Sequence, residues 1–129
     1  MSIKQINPET IHAPAGLYSH GVAVPAGSNL LYISGQVGMR PDGTTPETIG
    51  EQAEQVFANI GAILVANGMA FRDIVKLQTF MVAGADGDAV RAARRKYLGE
   101  HRPASTAIYI AALVSPEWKV EIEAIAAKA

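Results

Sequence analysis

The chain has no cysteine among its 129 residues. That absence excludes disulfide bonds, thiolate nucleophiles and metal sites built on sulfur. Neither positive nor negative side chains are in clear excess, because the formal net charge is −1. Proteins that bind nucleic acid by neutralising phosphates usually carry a clear positive excess, so this balance argues against that class.

Long hydrophobic runs are also missing. No apolar stretch approaches the roughly 20 residues that cross a bilayer, and the N-terminal MSIKQINPETIHAP has no apolar centre of the length that a signal peptide needs. We therefore expect a cytoplasmic, soluble protein with no membrane partner. The histidines His12, His20 and His101 lie far apart and match no metal-ligand spacing, so neither a metal nor another cofactor is expected.

What the chain does contain is typical of a globular protein. Apolar residues make up 49% and charged residues 18% of the sequence, which is neither a disordered nor a fibrous composition. The length gives room for one hydrophobic core, and no internal repeat is present. We predict a single domain over residues 1–129.

Periodicity predicts six strands and two helices. The predicted strands cover residues 3–6, 21–25, 30–34, 75–82, 106–113 and 118–126. Thr48 and Glu51 form a capping box at the start of the first helix, and Gly68 fits the position just after its end. Asp88 is the predicted cap of the second helix. This order indicates an α+β fold with a six-stranded mixed sheet and both helices on one face.

The strand predicted for residues 118–126 alternates apolar and charged residues. Val120 and Ile122 share one face, while Glu121 and Glu123 share the other. Glu121 is a candidate general acid or base if that face is partly buried. The alternative is a surface carboxylate paired with Lys119 or another cation, which is the commoner situation of a strand glutamate.

Several segments of the chain resemble the YjgF/RidA family of reactive-intermediate deaminases, older members of which were described as L-PSP endoribonucleases. The segments are APAGLYSHGV with Tyr18, YISGQVG with Ser34, DIVKLQTFMV, PAST and VEIEAIA. The resemblance implies a chorismate-mutase-like fold, a homotrimer whose sheets close a central barrel, and a small-molecule cleft at each subunit boundary. It also implies that Glu121 holds or activates a water there.

One departure from the family pattern affects substrate binding. In deaminating members the PAST segment reads P-A-R-S, and its arginine binds the carboxylate of an imine or enamine derived from an amino acid; Ser105 stands at that position here. Serine cannot replace two parallel charge-assisted hydrogen bonds. The family's usual cysteine corresponds to Ala107, and its usual helix asparagine to Arg91. Either Arg91 or Arg102 is a candidate replacement for the missing cation, against the alternative that both are solvated.

The resemblance gives Tyr18 and Ser34, together with Ser105, Thr106 and Ala107, as candidate substrate-binding residues. Read without the resemblance, Tyr18 packs on the core and Ser34 satisfies the backbone of a turn. No base is spaced to activate Ser105 or Thr106 as a nucleophile.

Three functions remain open from the sequence. The first is deaminase-type hydrolysis of small enamines or imines, with Glu121 as the catalytic residue and ammonia as a product. The second is a trimer that binds a small metabolite without turnover, which accounts for Ser105 directly. The third and weakest is RNA cleavage, suggested by the basic cluster Arg91, Arg94, Arg95 and Lys96, although such a cluster is more often a solvated helix face.

Overall fold

The computed structural model describes all residues 1–129 and contains six strands and two helices in the predicted order. The strands are β1 Lys4–Ile6, β2 Gly21–Ala23, β3 Asn29–Val37, β4 Ile74–Val82, β5 Ala104–Ile110 and β6 Val120–Lys128. The helices are α1 Ile49–Ala66 and α2 Gly87–Leu98, and a short 3-10 turn Phe71–Asp73 precedes β4. No helix is long and apolar enough to cross a membrane.

The main sheet has four strands in the order β3-β6-β4-β5. β4 and β5 are parallel and are connected through α2, whereas β6 runs antiparallel to both of its neighbours. β1 and β2 form a separate antiparallel pair. Ser19, two residues before β2, makes a single parallel bridge to Ala104 of β5. The predicted single six-stranded sheet is therefore divided into four strands and two. Pro103 contributes to this division because it accepts a hydrogen bond from Ser19 N but has no N–H to return one.

α1 starts where the capping box predicted. The Thr48 hydroxyl accepts a hydrogen bond from Glu51 N at 3.2 Å, although the Glu51 carboxylate bonds to that hydroxyl rather than to the Thr48 backbone. Gly68 has φ of +68° and follows the helix as predicted. The prediction for α2 was wrong by two residues, because Asp86 is the cap and accepts a hydrogen bond from Asp88 N.

Every strand differs from its predicted bounds by at least one residue, β2 ends two residues early, and the differences are largest in β3, β5 and β6. β5 begins two residues earlier and ends three residues earlier than predicted, and β6 is displaced by two residues at both ends. β3 continues past Ser34 through a bulge, in which Ser34 and Gly35 stand opposite Glu123 alone. This bulge places Gly35 next to the side chain of Glu121.

The hydrophobic core lies between the two helices and one face of the main sheet. Its buried members include Ala53, Val56, Phe57, Ile60 and Leu64 of α1, Val90, Ala93 and Leu98 of α2, and Val120, Ile122, Ala124 and Ala126 of β6. Gln52 is also fully buried. Its amide donates to the carbonyls of Pro46 and Glu117 and accepts from Lys119 N, so it joins α1 to the segment that leads into β6.

The opposite face of the sheet is not covered by any helix, as predicted. We call it the open face. Leu30, Tyr32 and Ile108 lie on it, and the Tyr32 side chain is 71% exposed. Exposed apolar side chains on a sheet face of this kind mark a surface that packs against another molecule.

Candidate functional site

A groove of about 800 Å³ runs between residues 14–18, the inner flank of α2 and strand β5. Its lining brings together five of the predicted site residues: Tyr18, Arg91, Arg102, Ser105 and Ala107. The remaining three, Ser34, Thr106 and Glu121, lie elsewhere. We call this hollow the arginine groove, because Arg94 and Arg95 complete a lining of four arginines without any acidic residue.

The wall that carries Tyr18 is fixed to the start of β5 by the next residue along the chain. Ser19 is almost fully buried. Its hydroxyl donates to Arg102 O at 2.6 Å, and its N–H donates to Pro103 O at 3.1 Å. The Tyr18 hydroxyl accepts a hydrogen bond from Ala15 N at 3.2 Å. The ring of Tyr18 therefore stands at the rim of the groove, not in the hydrophobic core.

Arg94 reaches from α2 across the groove and contacts Ser105. One of its terminal nitrogens donates to the Ser105 hydroxyl at 3.1 Å and also to the carbonyl of Leu17. Its Nε is buried and has no hydrogen-bond partner. Burial lowers the pKa of Arg94 from its ordinary value, and no carboxylate forms a salt bridge with it.

The two arginines proposed from the sequence as replacement cations do not contact Ser105. Arg91 forms an exposed salt bridge with Asp88, and this hydrogen bond raises the Arg91 pKa. Arg102 lines the groove, and its backbone carbonyl is taken by Ser19. The sequence contained a signal for Arg94 that was missed. Arg94 lies four residues after the inward-facing Val90, so both occupy neighbouring sites on one helix flank.

Glu121 and Ser34 lie on the open face, away from the arginine groove. Glu121 is half-buried and its carboxylate rests on the backbone of Gly35, where an added Cβ would meet Oε2 at 1.9 Å. Ser34 lines a second hollow of about 380 Å³ with Tyr32, Gln78 and Glu123.

The pairing of the strands explains the separation of Glu121 from the groove. Glu121 pairs with Phe80, and Phe80 pairs with Ile108 of β5. The acid is therefore two strands, about 10 Å, from β5, and it lies on the other face of the sheet from Ser105.

Thr106 also belongs to the open face. Its hydroxyl accepts a hydrogen bond from Lys76 Nζ at 3.1 Å, because successive residues of β5 point to opposite faces of the sheet. Within one chain the predicted site residues therefore lie on two separate surfaces, the arginine groove and the open face. No group of three or more His, Asp or Glu side chains comes together at metal-binding distance.

Comparison with known proteins decides the family. The sequence model of the family described as endoribonuclease L-PSP matches residues 10–128. This chain belongs to the YjgF/RidA family. The 2-iminobutanoate/2-iminopropanoate deaminase of Capra hircus is 40% identical over 121 residues, which cover 91% of this chain and 85% of the relative.

Solved members of the YjgF/RidA family share the whole fold. The Rid-family protein YyfB of Yersinia pestis superposes with a TM-score of 0.85 at 32% identity and covers 98% of both chains. TdcF of E. coli with bound serine superposes with a TM-score of 0.73 at 30% identity, over 98% of this chain and 99% of the relative. The α+β fold predicted from the strand and helix order is therefore confirmed at the level of the family.

Proposed function

We propose that this protein hydrolyses the C=N bond of small imines or enamines derived from amino acids and releases ammonia. One observation carries the proposal. Tyr18, Ser105 and Ala107 share one arginine-lined groove, in a chain 40% identical to a 2-iminobutanoate/2-iminopropanoate deaminase. A structural relative that binds serine supports a ligand of amino-acid size.

The reaction needs a positioned water and one proton relay. Water attacks the imine carbon, a proton is transferred to nitrogen, and the C–N bond then breaks to give a carbonyl compound and ammonia. Glu121 is the proposed general base and acid, because its carboxylate is held against Gly35 and is not bound in any salt bridge. Imines already hydrolyse in water, so orientation supplies much of the required acceleration.

A second copy of the chain completes the proposed site. Glu121 and the arginine groove lie on opposite faces of one sheet, so a single chain does not present both to one ligand. The open face, with its exposed apolar side chains, is the surface through which a neighbouring copy brings its own Glu121 to this groove. A homotrimer is the assembly we propose.

Ammonia release from imines freshly generated by an amino-acid oxidase tests the proposal. We expect the native protein to accelerate release and Glu121→Gln to lower the rate by about 10²- to 10⁴-fold, the usual range for loss of a general acid or base. Glu123→Gln is the matched control, since Glu123 lies on the same strand and face two residues on. A native protein that binds the ligand but never accelerates release would identify a metabolite-binding protein instead of an enzyme.

The arrangement of the basic cluster argues against RNA as the substrate. Arg91 pairs with Asp88, and Lys96 pairs with Glu54. Arg94 is turned inward to Ser105, so only Arg95 of the four cations presents an unpaired charge to solvent. An RNA-cleaving protein would show RNA binding that weakens steeply with salt, and we expect none.

A further inference from the structure

We infer that Arg94 is the residue that binds the carboxylate of the substrate, so that the anion-binding guanidinium comes from helix α2 and not from strand β5. The inference rests on the proposed function for the identity of the substrate as a 2-imino acid. The carboxylate contact itself stands on the geometry of the groove.

The first observation is that Arg94 is a partly buried cation without an anion. Its guanidinium contacts only neutral groups, the Ser105 hydroxyl and the Leu17 carbonyl, and its Nε has no partner at all. A buried charge is costly unless a counter-charge and hydrogen bonds compensate it. The missing counter-charge is what a bound carboxylate would supply, and lowering of the Arg94 pKa by burial agrees with this deficit.

The second observation is the charge of the surrounding groove. Its walls carry Arg91, Arg94, Arg95 and Arg102 and no acidic side chain. Arg91 is already neutralised by Asp88, and Arg95 is exposed to solvent. A concave surface with one sign of charge concentrates ligands of the opposite sign. Within it Arg94 has the best-fixed guanidinium, because two hydrogen bonds hold one terminal nitrogen in place.

The third observation is how β5 accommodates this arginine. The Ser105 side chain is short, and its hydroxyl accepts from Arg94 and donates to Pro103 O at 3.2 Å. An arginine at position 105 would bring a second guanidinium into the space that Arg94 occupies. Positions 94 and 105 thus act as a pair in which one residue carries the cation and the other leaves room for it.

Affinity for a stable carboxylate that does not react provides the test. We would measure binding of 2-oxobutanoate and of its neutral amide by calorimetry to the native protein and to Arg94→Gln. Lys96→Gln is the matched control, because Lys96 lies on the same helix, outside the groove, and pairs with Glu54. Loss of a charge-assisted contact predicts about 10- to 100-fold weaker binding of 2-oxobutanoate to Arg94→Gln. Binding of the amide, and binding of both ligands to Lys96→Gln, should stay at the native level.

The exchange variant Arg94→Ser/Ser105→Arg provides an independent measurement. It places the guanidinium on β5, the wall of the groove opposite α2. We expect it to reverse at least half of the change in log Kd that Arg94→Gln causes. Native-level binding of 2-oxobutanoate by Arg94→Gln, or an equal loss for the acid and the amide, would overturn the inference. A native protein that releases no ammonia but shows the predicted loss would refute the deaminase proposal and leave the carboxylate anchor standing.

Discussion

At the scale of single residues, Gly35 positions the candidate acid. The bulge in β3 turns Gly35 toward Glu121, and the missing side chain leaves the space in which the Glu121 carboxylate lies. Any larger residue would compete with that carboxylate. Gly35 is therefore a positioning residue in the proposed reaction, because its lack of a side chain determines where the Glu121 carboxylate can lie.

Gly35→Ala should impair catalysis while leaving the fold intact. The new Cβ would lie 1.9 Å from Glu121 Oε2, so the flexible end of the glutamate must swing away. A displacement of about 1 Å in a catalytic group costs on the order of 100-fold in rate, and we expect that loss in the ammonia assay with little change in melting temperature. Gly50→Ala, whose Cβ would meet its nearest neighbour at 3.9 Å, should keep native activity. Equal activity in both variants would show that Glu121 needs no such fixed position.

Tyr18, Ser105 and Ala107, which the sequence indicated as candidates, line one hollow together with Arg94, which it did not indicate. Motifs carry information about residues that recur at fixed positions, which is why these three were recognisable. The inferred role of Arg94 depends on the packing of α2 against β5. Its spacing from Val90 indicates the helix flank on which it lies, but not the strand that this flank faces. Whether Arg91 or Arg102 contributes to binding stays a prediction.

At the scale of secondary-structure elements, the close contact between α1 and β3 fixes one end of the sheet. An added Cβ on Gly38 would lie 2.7 to 2.8 Å from the backbone and Cβ of Gln52. Helix backbone cannot move aside as a side chain can, because Gln52 is buried and holds three backbone groups by hydrogen bonds. Gly38 is thus required for α1 to approach the sheet this closely.

Gly38→Ala is expected to destabilise the fold by about 1–3 kcal/mol, the usual cost of overpacking a close contact. Chemical denaturation followed by circular dichroism would measure the change in the free energy of unfolding. Gly50→Ala again provides the comparison, because an alanine in a helix is not expected to lower stability. A Gly38→Ala variant as stable as the native protein would mean that α1 can shift outward without cost.

Periodicity predicted well which face of a helix or strand is buried in the core. It predicted poorly the features that do not depend on burial, such as bulges, strand ends and caps. The inward faces of α1 and β6 follow directly from their apolar spacing. The bulge after Ile33 and the early end of β5 were missed, because they depend on how backbone groups pair across strands and not on which side chains are apolar. The Asp86 cap was missed because Asp86 and Asp88 are equally suitable residue types.

At the scale of the whole molecule, the open face serves two requirements in the proposed assembly. Its exposed apolar side chains favour burial against a partner, and in the proposed trimer that partner would also be the copy that combines Glu121 with an arginine groove. Stability and activity are then linked through assembly. The sequence alone indicated an uncovered face by predicting both helices on the other face, whereas the number of copies was implied only by the family resemblance.

Tyr32→Glu should disrupt the proposed trimer and abolish ammonia release together. Tyr32 lies on the open face with 71% of its surface exposed in the single chain, and a charge buried in an apolar interface is strongly unfavourable. Sedimentation equilibrium should give three times the chain mass for the native protein and the chain mass for the variant. Val65→Glu, equally exposed on α1 at 74%, should remain trimeric. A native protein that sediments as a monomer yet releases ammonia would refute the shared site.

The bulge in β3 has a consequence for which sequence changes this strand can accept. Two residues, Ser34 and Gly35, stand opposite one residue of β6, so everything after them is offset from the regular two-residue alternation. Removing either one would turn the following residues, including Gln36 and Val37, to the wrong side of the sheet. Most substitutions in this strand act locally, whereas a change in its length would rearrange both surfaces at once. Homologous chains are therefore expected to keep the number of residues in this strand, and Gly35 within it, while other positions vary.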